Sequence, residues 1–147
     1  MKKHILLITT LLSVSAIQAM QNVTVLNVST KYKVTVIPDL AVPGGRIEYG
    51  TTKIIEPGKK VVFNNPNDLK ATQFILKAKA LNQRPIEERV LFKPNPSKPI
   101  VVVDVGYVSG GSAYSKPTIT YKQMSVAEIN APNAPKSYRM AYNSYAQ

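Results

Sequence analysis

The chain has 147 residues, enough for one domain, and no cysteine, so its fold must hold without disulfides. Its formal net charge of +11 favours anionic partners such as lipid head groups, acidic polysaccharide or nucleic acid. The only histidine is His4, near the N-terminus. These counts exclude Ser-His-Asp and Cys-His nucleophiles, the usual zinc sites and thiol redox chemistry from the body of the protein.

The first residues have the order of a secretory signal. Two lysines precede an apolar stretch over residues 5–14, and small residues follow it. This order predicts a signal peptide over 1–19 that is cleaved after Ala16 or Ala19, and a periplasmic or secreted location. The alternative is a retained anchor, but the stretch is short for a span of roughly 20 residues, and no later segment is apolar for long enough.

Nine later segments have the composition of short β-strands. In the second of them Tyr32, Val34 and Val36 alternate with polar residues, which is typical of a strand with one buried face. Residues 71–80 also alternate and are predicted as a strand, although their Lys, Ala and Leu content suits a short helix. The predicted strands cover 22–28, 31–37, 46–49, 52–55, 60–63, 71–80, 86–92, 100–108 and 117–122.

The segment 100–108 is the most strand-like of these. Val101, Val103 and Val105 alternate with Ile100 and Val102, so both faces are largely apolar. We expect the strand either to be covered on both sides or to have one core face and one shared face. Asp104 interrupts this run. A carboxylate there is a candidate for burial, which would require a partner or a raised pKa. The alternatives are a position on a solvated patch or a structural pair with a nearby Lys, Arg or Tyr hydroxyl.

These strands and the turns between them predict an all-β fold, an antiparallel β-sandwich of about eight strands over 20–122, with a small barrel as the alternative. Between two strands, the sequence Glu56-Pro-Gly-Lys59 predicts a type II turn. In strand count and turns the chain resembles exported immunoglobulin-like β-sandwich domains. The cysteine pair and core tryptophan of antibody domains are absent, and the resemblance implies no function.

The last segment, 123–147, differs in composition because it is rich in Pro, Ala, Asn and Tyr. It is predicted to be a flexible tail, a linker or a short contact segment. If it became helical, the spacing of Tyr138, Tyr142 and Tyr145 would place them on one face beside Arg139. Tyrosines give a large contact area, so these four residues are candidate contacts for a partner.

The acidic residues give no sign of a catalytic pair. Glu87 and Glu88 are adjacent, so on a strand they point to opposite faces and cannot flank a substrate as glycosidase carboxylates do. The sequence predicts no cofactor and no metal site. The triplets that begin at Asn22 and Asn27 match the glycosylation pattern Asn-x-Ser/Thr.

The function that these observations favour is an exported, non-enzymatic binding or adhesion module with a basic surface. Its partner would be a protein or an anionic envelope or surface component, and the adjacent Lys59 and Lys60 join the tyrosines as candidate contacts. The alternative is a structural subunit or assembly partner of an envelope complex that assembles by β-strand addition. A hydrolase that uses carboxylates is a third hypothesis. Export and the scarcity of paired aromatic and basic residues argue against nucleic acid. No oligomeric state is predicted.

Overall fold

The computed structural model describes residues 22–42, 44–80, 86–107 and 117–147, so the predicted signal over 1–19 lies outside the described residues. All nine predicted strands are confirmed, including residues 73–80 as a strand rather than a helix. In chain order the elements are β1 (Val23–Asn27), β2 (Tyr32–Ala41), β3 (Ile47–Tyr49), β4 (Lys53–Ile55), β5 (Lys60–Phe63), a 3₁₀ turn (Asp68–Lys70), β6 (Gln73–Ala80), β7 (Ile86–Phe92), β8 (Ile100–Tyr107), β9 (Pro117–Met124), α1 (Val126–Asn130) and α2 (Lys136–Tyr142).

The described strands form two sheets. The four-stranded sheet has the order β5-β1-β8-β9, and the five-stranded sheet has the order β3-β2-β6-β7, with β4 also paired to β2. The prediction of a wholly antiparallel sandwich is wrong at one ladder, because β1 and β8 run parallel with Thr24 opposite Ile100. The chain returns from β7 to the four-stranded sheet and enters beside β1 in the same direction.

The main core lies between the two sheets. The alternation predicted for β2 is confirmed, since Val34 and Val36 are buried in this core. Three phenylalanines occupy its centre: the ring of Phe74 lies 5.3 Å from that of Phe63 and is stacked 5.2 Å from that of Phe92. Burial of apolar side chains from both sheets holds the sandwich together in the absence of disulfides.

The second face of β8 is also covered, as its sequence predicts. Ile100 and Val102 pack with Leu26 and Met124 beneath Ile129 of α1 and Ala141 of α2. The prediction of a flexible tail after residue 122 is therefore wrong. Helices this short are marginal alone, and these two are stabilised by packing against the four-stranded sheet. In the described part of the chain, no helix has the length and apolarity needed to cross a bilayer.

Asn27 links the two sheets at the point where the chain leaves β1. Its side-chain Nδ2 donates to the backbone oxygens of Tyr32 in β2, at 2.7 Å, and of Ile55 in β4, at 3.0 Å. Its Oδ1 accepts from the backbone N of Ser29 at 3.1 Å and from the Ser29 hydroxyl at 2.6 Å. The side chain is completely buried, and both of its donors are occupied. The triplet at Asn27 is therefore not available for glycosylation in the folded protein.

The backbone of Asn27 also anchors the predicted turn between β4 and β5. The Asn27 nitrogen donates to the Lys59 oxygen and its oxygen accepts from the Gly58 nitrogen, both at 2.9 Å. Gly58 has a φ of 70°, and the Lys59 nitrogen donates to the Glu56 oxygen at 3.1 Å. The type II turn is thus confirmed, because a positive φ at its third residue requires glycine.

Replacing Asn27 tests its role in joining the sheets. We expect Asn27→Ala to lower the free energy of unfolding by about 3 kcal/mol, because the buried carbonyls of Tyr32 and Ile55 lose donors. Urea denaturation measures the change. The matched control is Asn22→Ala, at an exposed residue, which should change the unfolding free energy by less than about 0.5 kcal/mol. Equal effects of the two substitutions would contradict the role of Asn27.

Gly50 is required by a close approach rather than by its φ. A Cβ there would lie 2.3 Å from Oδ1 of the buried Asp68, which accepts from the Thr51 nitrogen at 2.8 Å. We expect Gly50→Ala to destabilise the protein by about 2 kcal/mol in thermal or urea unfolding. Gly106→Ala is the control, because a Cβ added there would have no atom of a described residue within 4 Å and its φ is not positive. A tolerated Gly50→Ala would show that Asp68 is not held in place.

Candidate functional site: a lysine-bearing sheet face

The outer face of the five-stranded sheet carries a group of basic side chains. In the antiparallel pairing of β2 with β6, Lys33 lies opposite Lys79 and Thr35 lies opposite Lys77. Their neighbours along the two strands point into the core, so these four residues point outward. We call Lys33, Thr35, Lys77 and Lys79 the lysine face.

The lysine face has more positive than negative charge. Like charges directly opposite each other on a sheet are destabilising, and Lys33 and Lys79 are such a pair. Glu56 neutralises one of them, with an oxygen 2.6 Å from the Lys33 Nζ. Among the described residues, neither Lys77 nor Lys79 has an ion pair. Both side chains are exposed to solvent.

A concavity of about 510 Å³ lies at one end of this face. Its lining combines two lysines, one carboxylate, a hydroxyl, a carboxamide and one aliphatic side chain: Lys33, Lys79, Glu56, Thr35, Gln147 and Ile54. The carboxamide is held in place, because the Gln147 Oε1 accepts from the backbone nitrogen of Glu56 at 3.1 Å. The charged side chains of this lining sum to a formal charge of +1, which suits binding of an anion by hydrogen bonds.

Two of the predicted contact tyrosines pack within the protein itself. Tyr138 and Tyr142 are half-buried against the cluster that α1 and α2 form on the four-stranded sheet. Lys60, another predicted contact, donates from Nζ to the Tyr142 backbone oxygen and lies 5.1 Å above the Tyr142 ring. The Lys60–Tyr142 contact therefore attaches α2 to β5, and both tyrosines pack on the cluster above β1, β8 and β9. The surface that the tail covers is this chain's own sheet.

The other predicted contacts are placed differently. Tyr145 is 93% exposed and Lys59 is exposed in the turn before β5, whereas Arg139 is half-buried on α2. No hydrogen bond, ion pair or ring contact in the described ranges joins these three side chains into one site. They stay candidate contacts, without a shared geometry.

The prediction that Asp104 is a buried carboxylate is wrong. Asp104 lies on the same face of β8 as Ile100 and Val102, but its side chain is exposed. The helices cover the first two positions of this face and leave the third open to solvent. An exposed carboxylate needs no buried partner.

The buried carboxylates have structural partners. Asp39 accepts a hydrogen bond from the Gln73 Nε2 at 2.6 Å, and Asp68 accepts from the Thr51 nitrogen. In the described ranges, no three His, Cys, Asp or Glu side chains come together in a way that could hold a metal ion. The side chains of Glu87 and Glu88 lie outside the described residues, so their predicted orientation stays a prediction.

The lysine face was only partly visible in the sequence. Lys77 and Lys79 are two residues apart on a predicted strand, and this spacing places both on one face. The pairing of Lys79 with Lys33 depends on the register between β2 and β6, which are separated by about 30 residues and three other strands.

Searches of protein-family models, of curated proteins and of solved structures found no match to the chain.

The helical layer on the other side of the molecule carries an ion pair. The Lys98 Nζ lies 2.8 Å from the Glu128 Oε1, and the Ser125 nitrogen donates to the Glu128 Oε2 at 2.7 Å. In return the Glu128 nitrogen donates to the Ser125 hydroxyl, which completes a capping box at the start of α1. The hydrogen bonds from Lys98 and then from Ser125 lower the pKa of Glu128 to about 2.

This pKa gives a pH dependence of stability. The pKa of the Glu128 carboxyl lies near its ordinary value of 4.5 in the unfolded chain and at about 2 in the folded protein, so its contribution is fully present only above its unfolded value. The contribution is lost as the pH falls from that value towards 2. We expect the parent to have a higher urea midpoint than Glu128→Gln at about pH 7. The two midpoints should converge at about pH 2.

A matched variant separates this effect from a change in net charge. Glu48→Gln removes an exposed carboxylate that has no ion pair in the described part of the chain. It should leave the urea midpoint at about pH 7 close to that of the parent. A gap between the parent and Glu128→Gln that stays constant from about pH 7 to about pH 2 would contradict the assigned role of the carboxylate.

Proposed function

We propose that this protein is an exported, non-enzymatic binding module that holds an anionic partner on its lysine face. The observation that carries the proposal is the direct opposition of Lys33 and Lys79 on the outer face of the five-stranded sheet. This arrangement costs stability, and departures from local stability rules are typical of functional surfaces. Lys77 extends the same row, so an anionic surface would meet Lys77 and Lys79 beside the Lys33–Glu56 ion pair.

The position of the helices supports this choice of face. The outer face of the four-stranded sheet is packed beneath α1 and α2, and part of its apolar surface is buried there. The lysine face has no such cover from these helices, because they contact β1 and the cluster around Val102. The two outer faces therefore differ, and the basic one is presented to solvent.

The chemistry of the chain supports a binding role rather than catalysis. It has no cysteine, and its single histidine lies in the predicted signal. The buried Asp39 and Asp68 are hydrogen-bonded within the fold, and Glu56 and Glu128 are in ion pairs. These four carboxylates have structural partners that account for their positions. The basic, apolar and small-residue order of the first 19 residues supports export.

We also infer an immunoglobulin-like general architecture for the sandwich. It is supported by two facing sheets of four and five strands and by a chain that passes between them four times. The parallel pairing of β1 with β8 is a departure from the simplest antiparallel form. This architecture positions the lysine face but carries no function by itself.

A structural subunit that assembles by β-strand addition is the second candidate. The observation that favours it is that β9 pairs only with β8 among the described strands, so one backbone edge of β9 is open to a partner strand. Such an assembly would depend on backbone hydrogen bonds. Removing charges from the lysine face would leave such an assembly intact. Variants that lack these charges therefore separate the two functions.

The experiment compares two triple variants that have the same net charge. The first replaces Lys33, Lys77 and Lys79 with Gln, and the second replaces the exposed Lys70, Lys93 and Lys122 with Gln. Binding to dextran sulfate is measured by titration calorimetry at increasing NaCl. We expect the first variant to bind about tenfold more weakly than the parent, since three surface charge contacts each contribute a fraction of a kcal/mol.

The control variant should lose much less affinity, because its lysines lie outside the lysine face. An equal loss in both variants would mean that net charge alone drives binding, and the proposed face would be wrong. Salt-independent binding by the parent would contradict the electrostatic mechanism as a whole. Urea midpoints of both variants establish that each is folded at the temperature of the titration.

A further inference from the structure

We propose that the concavity beside the lysine face is a subsite for one carboxylate-bearing sugar unit of an acidic polysaccharide. This inference rests on the proposed function, because it names the anionic partner of the same surface. The lining residues supply the two properties that such a unit needs: one excess positive charge and several groups that hydrogen-bond to hydroxyls.

The charge of the concavity matches a single negative charge. Lys33 is already paired with Glu56 at 2.6 Å, so Lys79 is the cation that remains for a ligand. A carboxylate carries one charge and accepts hydrogen bonds from an ammonium group. A dianionic phosphate would exceed the local charge and would also lie near the Glu56 carboxylate, which repels it.

The rest of the lining suits a hydroxyl-rich ring. The Thr35 hydroxyl, the Gln147 carboxamide and the Glu56 carboxylate are hydrogen-bonding groups, and Ile54, which is 57% exposed, offers one apolar contact. None of the described side chains that line the concavity is aromatic, so they offer a nucleobase no ring on which to stack. The volume of about 510 Å³ lies within the range of small-ligand sites.

A second cation indicates a polymer rather than a free sugar. Lys77 lies two residues from Lys79 on β6, on the same outward face, at a spacing of roughly 7 Å along the strand. A chain with one carboxylate on each unit can therefore contact Lys79 from inside the concavity and Lys77 beside it. The second contact is intramolecular once the first unit is bound, which raises the affinity of the polymer above that of its monomer.

The test uses galacturonic acid and polygalacturonate as probes, measured by titration calorimetry at low salt. Lys79→Gln should weaken binding of both probes, with about a tenfold loss for the polymer. Lys77→Gln should weaken the polymer about fivefold and leave the monomer within about twofold of the parent. Lys70→Gln, at an exposed lysine in the 3₁₀ turn, is the matched control and should change neither.

The outcomes separate this inference from the proposed function. Equal effects of Lys77→Gln on monomer and polymer would overturn the two-point contact. If dextran sulfate binds through the lysine face but polygalacturonate does not, the sugar subsite is wrong and the proposed function stands. Stronger binding to vesicles of phosphatidylglycerol than to polygalacturonate would assign the face to lipid and overturn the inference. If no probe depends on these lysines, both proposals fail.

Discussion

The carboxamide of Asn27 is the polar interaction on which the two-sheet arrangement depends. It lies at the end of a strand in one sheet and donates both of its hydrogens to carbonyl oxygens of two strands in the other. A buried amide with every donor and acceptor occupied favours one arrangement of its neighbours over all others, because any shift leaves a polar group unpaired. The apolar core drives the sheets together, and Asn27 sets where β1, β2 and β4 meet.

From this arrangement follows the difference between the two outer faces. β8 lies at the centre of the four-stranded sheet and is apolar on both sides, so it requires a second cover in addition to the facing sheet. The C-terminal helices supply that cover. Lys60 of β5 attaches α2 to the four-stranded sheet, and the ion pair of Lys98 with Glu128 attaches α1 to the segment before β8. The opposite face of the molecule, on β2 and β6, carries Lys33, Thr35, Lys77 and Lys79 and has no cover from these helices, although Ile75 on the same side of β6 is buried. The lysines that lie there are the ones we propose to bind.

The strands were well predicted because each depends on local patterns. Alternation of apolar and polar residues in β2 indicates which side chains enter the main core, and Pro57-Gly58 indicates the turn before β5. The helices were missed because α1 and α2 are too short to show a convincing helical period. They exist through contacts with residues about 100 positions earlier in the chain, such as Leu26.

The candidate site was predictable only in part, for the same reason. The spacing of the two lysines on β6 indicates a shared face, but their distance from Lys33 and Glu56 depends on strand register and on the turn that brings Glu56 beside β2. Tyr142 and Lys60 were predicted as contacts for a partner, yet they contact each other. Asp104 was a candidate for burial because its neighbours are apolar, and the limited extent of the helical layer leaves it exposed. By itself, the sequence determined the strands, the turn before β5 and the core-facing side of β2, since such patterns follow from the period of two along an extended chain. Only the tertiary structure decided which strands pair, what covers β8 and which charges meet, because these depend on contacts between residues that are far apart in the chain.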